Sequence, residues 1–306
     1  CTLEKCLDKV KEMINWDEKY PCKDLGNGKV RSVGLAVAMQ GSAISHVDVA
    51  SVTIKVNDDG FYSMMIGATD MGTGCDTILA QMAADCLDTH VDNIVVYGVD
   101  TDISPYDSGS YASSTTYLTG NATIKTCQML REKIIAAGAE MLEIDIEDAD
   151  FDGEKVYSVK EEKSITLKDI ANNVMCYSNH TLTATAKEKT PVSPPPYMAG
   201  AVEIELDKET GHVEIIDYAT CVDCGTVINP ALATVQTEGG LVQGIGMALY
   251  EDVQYDKRGR ILNDSFMQYK IPTRLDMGKI RVEYESSYEP SGPFGAKSIG
   301  ELVINT

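Results

Sequence analysis

Two segments of the sequence place polar side chains among glycines, where both side chains and main chain can reach a ligand. Residues 292–301 read GPFGAKSIGE and end in a single carboxylate, that of Glu301. A carboxylate held by a glycine-rich turn suits a general base. Residues 236–246 read QTEGGLVQGIG and carry two side-chain amides. Amides and exposed backbone at glycines suit a polyanionic ligand that approaches the chain closely.

The two amides, Gln236 and Gln243, are seven residues apart and therefore project from similar sides of a predicted helix. That helix also contains four glycines: Gly239, Gly240, Gly244 and Gly246. Each glycine inside a helix costs about 0.5–1 kcal/mol relative to alanine. The pattern thus indicates either tight packing of the helix or close approach of a ligand.

Two further segments are candidates for ligand binding. Gly72-Thr73-Gly74 lies between a predicted strand and a predicted helix, where backbone amides can bind phosphate, although the same tripeptide is typical of ordinary turns. Residues 108–116 read SGSYASSTT and offer six hydroxyl side chains of serine and threonine. This stretch is either a binding loop or a polar surface loop.

Sequence motifs for several other kinds of catalytic or metal site are absent from this sequence. The four histidines lie far apart and form no HExxH motif, and neither a serine nucleophile elbow nor a Walker loop occurs. Cys221 and Cys224 form a CxxC pair without a second pair nearby, so a structural turn is the favoured interpretation. No four-cysteine cluster for an iron–sulfur centre is present. We therefore expect no metal held directly by side chains of this chain.

Composition limits the class of protein. The chain has 306 residues, with 43% hydrophobic and 24% charged residues, as in globular proteins. Its net charge of -21 argues against binding to nucleic acid, which needs a positive surface. No apolar run reaches the roughly eighteen residues of a membrane span, and no signal peptide is visible. The nine scattered cysteines are an odd number and indicate reduced thiols, so we expect a cytoplasmic protein.

Hydrophobic periodicity predicts a mixture of helices and strands, which indicates the α+β class. Predicted helices cover residues 3–20, 76–87, 121–142, 166–174 and 231–250. Predicted strands cover residues 32–45, 52–56, 62–66, 94–98, 201–206 and 212–218, with a further hairpin at 151–156. Four prolines between residues 191 and 196 mark a boundary. We therefore expect two α+β subdomains, at residues 1–190 and 191–306.

Taken together, four segments resemble the molybdenum-binding subunit of the xanthine dehydrogenase and aldehyde oxidoreductase family. They are residues 69–74 (TDMGTG), 110–113 (SYAS), 236–240 (QTEGG) and 297–301 (KSIGE). The similarity runs from about residue 33 to residue 301. It covers only the C-terminal half of that subunit and implies the fold of the second molybdenum domain of molybdenum hydroxylases. A partner chain with the N-terminal half would complete the site, as in the split molybdopterin subunit of nicotinate dehydrogenase.

The resemblance assigns roles to individual residues. It implies that Glu301 is the catalytic base. It implies cofactor contacts at Gly72, Thr73, Gly74, Ser110, Tyr111, Ala112, Ser113, Thr115, Gln236, Lys297, Ser298 and Ile299. Four positions depart from the family pattern: Thr73 replaces a glutamine, Tyr111 a small residue, Val235 a glycine and Ser298 a glycine. The replacement at Thr73 puts a side-chain amide contact with the cofactor in doubt. The replacement at Tyr111 would reshape the substrate pocket.

The resemblance also implies cofactors and partners. Molybdenum would be held by the dithiolene of a molybdopterin, expected as the cytosine dinucleotide, with a terminal sulfido or selenido ligand. Iron–sulfur clusters and FAD would reside in partner subunits. The implied reaction is hydroxylation of an electron-poor carbon of an N-heteroaromatic such as nicotinate or a purine, with water as the oxygen source. An aldehyde oxidoreductase, a non-catalytic scaffold and a nucleotide-binding module are the alternatives.

Overall fold

The computed structural model describes residues 2–305, which form a mixture of helices and strands, as the α+β prediction requires. The α-helices in chain order are α1 (Leu3–Ile14), α2 (Trp16–Lys19), α3 (Cys75–Cys86), α4 (Thr115–Leu142), α5 (Leu167–Tyr177) and α6 (Pro230–Leu249). The strands are β1 (Cys22–Gly26), β2 (Lys29–Met39), β3 (Val49–Val56), β4 (Tyr62–Ile66), β5 (Ile94–Tyr97), β6 (Ala149–Phe151), β7 (Lys155–Ser158), β8 (Ser164–Thr166), β9 (Thr183–Lys189), β10 (Tyr197–Asp207), β11 (Val213–Asp223) and β12 (Lys279–Tyr284). None of the helices in this described part combines the length and apolar character needed to cross a bilayer.

The chain divides into two units that are interleaved in sequence. Unit 1 contains the residues up to Gly41, Pro194–Pro290 and the residues from Phe294 onwards, and unit 2 contains Ser42–Ser193 and Ser291–Pro293. The boundary at residues 193 and 194 agrees with the proline-rich stretch. The assignment of the first 41 residues differs from the expected division into residues 1–190 and 191–306. The reason is that β2 pairs with β10 along eleven residues.

Unit 1 is built on a five-stranded sheet with the order β1-β2-β10-β11-β12. All neighbours in it are antiparallel except β11 and β12, which are parallel. Because side chains alternate along β10, Met198 faces one side and Ala199 and Ala201 face the other. The alanine side, together with Ala219 and Cys221 of β11, packs on Cys6, Val10 and Ile14 of α1. The opposite side packs on Leu241 and Ile245 of α6 and on Leu302 and Val303.

Unit 2 contains a four-stranded sheet with the order β5-β4-β3-β9 and a three-stranded sheet with the order β6-β7-β8. The long helix α4 packs against α3 and against strands of both sheets. Its buried residues include Leu118, Leu130 and Ile134, and the buried strand residues include Ile54 and Met64. This packing fixes both the start of α3 and the start of α4, the two places where the ligand-binding candidates of this unit lie.

The predicted elements are mostly present, with informative differences. The helix predicted over residues 3–20 is divided because Asn15 adopts a left-handed conformation, with φ 58°. The segment 32–45 is not a buried strand: β2 ends at Met39, and Val37 and Met39 are 49% and 66% exposed. Helix α4 begins at Thr115 rather than at residue 121. Hydroxyl groups near its start have partners inside and outside the helix: Thr123 donates to the carbonyl of Thr119 at 2.9 Å, and Thr119 donates to Asp107 at 3.2 Å.

Candidate active site

The segment that ends in Glu301 is held beside the end of β11. The amide of Thr226 donates to the carbonyl of Gly295 at 3.0 Å, and the amide of Lys297 donates to the carbonyl of Cys224 at 2.7 Å. Gly225 lies between these contacts with φ +72°, and a Cβ there would stand 2.2 Å from the Gly295 oxygen. Only glycine fits at this position. The two chain segments can therefore approach closely and form a short bridge between Gly225 and Ala296.

The carboxylate of Glu301 is exposed, although its chain neighbours are not. Leu302 and Val303 are 1% and 0% exposed and belong to the core cluster that includes Leu241 of α6. On the other side in sequence, Lys297 and Ser298 are also buried. Buried residues thus hold the backbone in place before and after Glu301, while the Glu301 carboxylate itself is exposed to solvent.

The side chain of Gln40 contacts this carboxylate. It follows the end of β2, and its side-chain amide donates a hydrogen bond to Glu301 Oε2. Sequence analysis missed this residue because the segment 32–45 was interpreted as one buried strand. Gln40 and Glu301 are 261 positions apart, and neither local composition nor periodicity carries a signal for such a contact.

The side chains of Ser298 and Lys297, two residues expected to contact a cofactor, contact other residues of unit 1 instead. The hydroxyl of Ser298 donates to the carbonyl of Gly41 at 3.3 Å. The ammonium of Lys297 lies 2.9 Å from Oδ1 of Asp223, donates to the carbonyl of Pro195 at 3.3 Å and lies 5.6 Å from the centre of the Tyr197 ring. Cofactor contacts at these two positions would therefore use the main chain. The side chain of Ile299 is half-buried and packs against the apolar cluster of unit 1.

Asp223 carries a buried negative charge next to this segment. Burial by itself raises the pKa of its carboxyl group, but hydrogen bonds from Ser287, Thr2, Lys297 and Gly225 together outweigh burial and lower the pKa to about 2. The carboxyl group is therefore ionised at neutral pH. Sequence analysis interpreted Asp223 only as part of a turn, because nothing in the sequence shows which donors surround it.

Helix α6 begins with a cap and carries two different faces. The side chain of Asn229 accepts a hydrogen bond from the amide of Leu232 at 3.1 Å, and Pro230 occupies the first turn. A Cβ at Gly240 would stand 2.0 Å from Cγ2 of Val303. A Cβ at Gly244 would stand 2.6 Å from the carbonyl oxygen of Ile304. This face therefore packs tightly on the residues that directly follow Glu301.

The other face of α6 is open. Gly239 is exposed, and a Cβ there would meet nothing within 4 Å. Gln236 and Gln243 lie three residues before and four residues after it, so all three residues share one side of the helix. Gln236 is half-buried and Gln243 is exposed. Tight packing accounts for Gly240 and Gly244, whereas Gly239 keeps a gap between two amide side chains.

In unit 2, the Gly72-Thr73-Gly74 turn is held by the carboxylate of Asp70. That carboxylate accepts hydrogen bonds from the amides of Gly72 at 2.9 Å and Gly74 at 3.1 Å. It also accepts one from the amide of Asp76 at 3.4 Å. Burial raises the pKa of Asp70, but these backbone hydrogen bonds outweigh it and lower the pKa. The turn is preorganised, and part of its hydrogen-bonding capacity is used internally.

The same turn contains a group of potential metal ligands. Within the described residues, ligand atoms of Asp70, Cys75 and Asp76 lie within 4.8 Å of one another. Burial raises the pKa of the Cys75 thiol to about 12, so the thiol is protonated at neutral pH. Asp70 is already engaged by backbone amides. Asp70 thus holds the turn that precedes α3, and we assign no metal to the group.

The hydroxyl-rich loop before α4 lies against this turn. Ser110 Oγ accepts a hydrogen bond from the amide of Thr69 at 3.2 Å and lies 3.3 Å from the Thr69 carbonyl oxygen. Tyr111 donates its hydroxyl proton to the buried Asp48 at 2.8 Å. Ala112 and Ser113 both have positive φ, 50° and 52°. Such conformations in non-glycine residues are strained and are common at ligand-binding sites.

The structure therefore brings the expected residues together in two groups. In unit 1, α6 with Gln236 packs on the segment that carries Glu301. In unit 2, Ser110 contacts Thr69, three residues before the Gly72-Thr73-Gly74 turn, and Thr115 begins the helix that follows the loop. The residues that sequence analysis missed, Gln40 and Asp223, both contact the group in unit 1.

Comparison with known proteins shows the family to which the chain belongs. Residues 9–278 match the model of the molybdopterin cofactor-binding domain family. The probable hypoxanthine oxidase XdhD of Escherichia coli K12 is 34% identical over 311 aligned residues, which include all of this chain and 32% of that protein. The putative xanthine dehydrogenase molybdenum-binding subunit XdhA of the same organism is 31% identical, over 99% of this chain and 41% of that protein.

Solved structures give the same result. Quinoline 2-oxidoreductase from Pseudomonas putida 86 superimposes with a TM-score of 0.88 at 25% identity, over 99% of this chain and 41% of that chain. The chain thus spans about a third to two-fifths of the length of the relatives it matches. It belongs to the molybdopterin cofactor-binding domain family and aligns with part of proteins named as a hypoxanthine oxidase and a xanthine dehydrogenase molybdenum-binding subunit.

Proposed function

We propose that this chain is the C-terminal portion of the molybdenum-cofactor subunit of a molybdenum hydroxylase, with Glu301 as the general base. The observation that carries the proposal is the placement of Glu301: an exposed carboxylate on a backbone anchored before and after it. A general base must accept a proton in a fixed geometry while remaining accessible to the reacting group. An ordinary surface glutamate would not need buried neighbours on both sides.

The proposed substrate class is an electron-poor carbon of an N-heteroaromatic, such as nicotinate or a purine. Support comes from the relatives: one is named as a probable hypoxanthine oxidase and another as a nicotine 6-hydroxylase large subunit, the latter from Paenarthrobacter nicotinovorans and 28% identical. A structural neighbour is named quinoline 2-oxidoreductase. All three names refer to nitrogen heterocycles.

Each unit, taken by itself, offers groups that suit contacts with a pterin cofactor. On α6, the gap at Gly239 lies beside Gln236, so a planar polar ligand can approach the helix and meet a side-chain amide. The backbone at Lys297, Ser298 and Ile299 is a second source of contacts. In unit 2, the corresponding candidates are Gly72, Thr73, Gly74, Ser110, Tyr111, Ala112, Ser113 and Thr115. When bound, the molybdenum centre would supply two-electron oxidation, with water as the oxygen source.

The residues of this chain then have separate tasks. Glu301 accepts the proton released as the oxygen nucleophile attacks the substrate carbon. The amide of Gln40 restricts the rotation of the Glu301 carboxylate by donating a hydrogen bond to it. Leu302 and Val303 keep the backbone of Glu301 in place through their burial. Catalysis by this chain thus depends on positioning a proton acceptor.

The remaining parts of the enzyme belong to the same proposal. We infer a cofactor in the cytosine dinucleotide form with a terminal sulfido or selenido ligand. The N-terminal portion of the molybdenum subunit would complete the site. Iron–sulfur and FAD subunits would remove electrons, and the complex would be cytoplasmic. Relatives named as subunits of multi-subunit complexes support these partners, among them a 6-hydroxypseudooxynicotine dehydrogenase subunit that is 32% identical.

The test is the substitution Glu301→Gln in the natively purified complex. Glutamine keeps the shape of the side chain but cannot accept the proton, so kcat should fall by about 100- to 10,000-fold. Molybdenum per chain, measured by plasma mass spectrometry, should stay unchanged. Glu209→Gln is the matched control, because Glu209 is an exposed glutamate in the turn between β10 and β11 of the same unit.

The substrate panel contains N-heteroaromatics and aldehydes with an artificial electron acceptor. Turnover of the heteroaromatics that disappears in Glu301→Gln supports the proposal. Preferential turnover of aldehydes would favour the aldehyde oxidoreductase alternative. A wild-type complex with intact partners but without molybdenum would refute the catalytic proposal and favour a scaffold. Full activity of Glu301→Gln would refute the role of Glu301.

A further inference from the structure

The buried carboxylate of Asp223 connects four segments of unit 1. It accepts hydrogen bonds from the hydroxyl of Thr2 at 2.7 Å, the hydroxyl of Ser287 at 2.6 Å and the amide of Gly225 at 3.0 Å. The ammonium of Lys297 completes this set at 2.9 Å. The Asp223 side chain has no exposed surface. Each donor offsets part of the free-energy cost of burying the charge, so the four donors together stabilise the buried carboxylate.

Lys297 is equally restrained. Its side chain is 5% exposed, and its ammonium also contacts the carbonyl of Pro195 and the face of the Tyr197 ring. Its own amide donates to the carbonyl of Cys224, the residue after Asp223. Both the main chain and the side chain of Lys297 are therefore bound at the end of β11, four residues before Glu301.

Removing one partner of a buried ion pair has a different consequence from removing both. Without Asp223, the ammonium of Lys297 would remain in an apolar setting without its counter-charge, which is strongly unfavourable. The ammonium can reach water only if the backbone of Lys297 moves. Because only three residues separate Lys297 from Glu301, this movement would be transmitted to the carboxylate of Glu301.

We propose that Asp223 is a positioning residue for Glu301, acting through its buried ion pair with Lys297. The inference rests on the proposed function, because it takes Glu301 to be the base. Asp223 touches neither substrate nor cofactor in this scheme. Its role is to hold residues 297–301 beside β11, so that the Glu301 carboxylate stays where it can accept the proton.

The experiment compares Asp223→Asn, Lys297→Met and the double variant in the purified complex. We measure molybdenum per chain, kcat per bound molybdenum, KM and the thermal unfolding midpoint. A displacement of the base of about 1 Å costs roughly 100-fold in rate, so kcat per molybdenum in Asp223→Asn should fall by about 10- to 100-fold. KM should change by less than about twofold, because substrate binding is not altered.

Two comparisons separate positioning from general destabilisation. A purely structural role would lower the yield and the molybdenum content but leave kcat per molybdenum unchanged, which would overturn the inference. The double variant should recover part of the kcat lost in Asp223→Asn, since it leaves no unpaired charge. Asp207→Asn is the control, because Asp207 also accepts backbone amides, at Glu209 and Thr210, at the end of a strand of unit 1.

A milder variant covers the case in which Asp223→Asn does not fold. Ser287→Ala removes one donor to Asp223 and keeps the ion pair, so a decrease of about two- to fivefold in kcat per molybdenum is expected. If kcat per molybdenum is unchanged in both Ser287→Ala and Lys297→Met, the inference is refuted. Glu301→Gln separates this failure from failure of the proposed function. If Glu301→Gln is inactive while Asp223→Asn is fully active, only the positioning role is wrong. If Glu301→Gln is fully active, the proposed function fails, and the positioning role fails with it.

Discussion

Two neighbouring glycines of α6 should respond in opposite ways to the same substitution. Gly240→Ala would place a Cβ 2.0 Å from Cγ2 of Val303, whereas carbon atoms pack at about 3.5–4.0 Å. The two atoms must separate by roughly 1.5 Å or more. Val303 is fully buried, so its side chain cannot move into solvent. The strain therefore falls on the backbone of residues 302–305, directly after Glu301.

The magnitudes follow from two opposing contributions. Overpacking of this kind costs about 1–3 kcal/mol, and replacing a helical glycine by alanine returns about 0.5–1 kcal/mol. The net range is about 0–2.5 kcal/mol, and Gly240→Ala should destabilise the protein by about 1 kcal/mol, the middle of that range. Gly239→Ala meets nothing within 4 Å and should stabilise it by about 0.5–1 kcal/mol. The neighbouring positions serve as controls for each other, since the chemical change and the helix are the same.

The assay is urea unfolding of the purified complex, followed by circular dichroism, with molybdenum content measured on the same samples. The midpoint should decrease for Gly240→Ala and increase slightly for Gly239→Ala. In the cofactor-binding proposal, the methyl group at Gly239 fills the gap beside Gln236, so molybdenum content should fall despite the higher stability. A Gly240→Ala variant as stable as wild type would refute the packing argument, and unchanged molybdenum in Gly239→Ala would refute the cofactor contact.

Two further predictions concern ionisable groups. The pKa of Asp223 is about 2, below its ordinary 3.8, so its contribution of about 2 kcal/mol is fully present above about pH 4 and is lost as the pH falls through 2. The urea midpoints of wild type and Asp223→Asn should converge between pH 6 and pH 2.5, and a constant difference would contradict this. Tyr111→Phe removes a hydrogen bond to the buried Asp48, so amide hydrogen exchange should accelerate in residues 109–114. Exchange rates equal to those of wild type would show that this bond does not order the loop.

The elements with local signals could be predicted from the sequence. The apolar positions of α1 recur at helical spacing, and Val10 and Ile14 are indeed buried. The strands predicted at residues 52–56 and 62–66 are found as β3 and β4, and the bounds of α3 and α6 agree within one residue. Fold class and family could be predicted as well, because the family motifs are short and contiguous. The assignment of site residues within those motifs stays a prediction.

The parts that could not be predicted depend on long-range pairing. The sheet of unit 1 joins β2 to β10, so the first 41 residues belong with the C-terminal part of the chain, contrary to the expected boundary. Strand β9 went unrecognised because its alternating sequence, TATAKEK, has alanine as its only apolar residue type. Lys297 was expected to meet a cofactor, yet its ammonium is paired with Asp223. Such partners lie up to hundreds of residues apart, and single-sequence patterns do not encode which of them meet.

The interleaved order of the two units has a consequence during synthesis on the ribosome. Strand β2 is synthesised before unit 2, but its partner β10 is made only after all of Ser42–Ser193 has been translated. At about 5–20 residues per second, this delay is on the order of 10–30 s. During that time β2 presents an unpaired edge with apolar Val37 and Met39, a template for aggregation with other nascent chains. Unit 2 can fold during this delay. The unpaired edge of β2, rather than unit 2, is therefore the segment that a nascent-chain chaperone would need to protect.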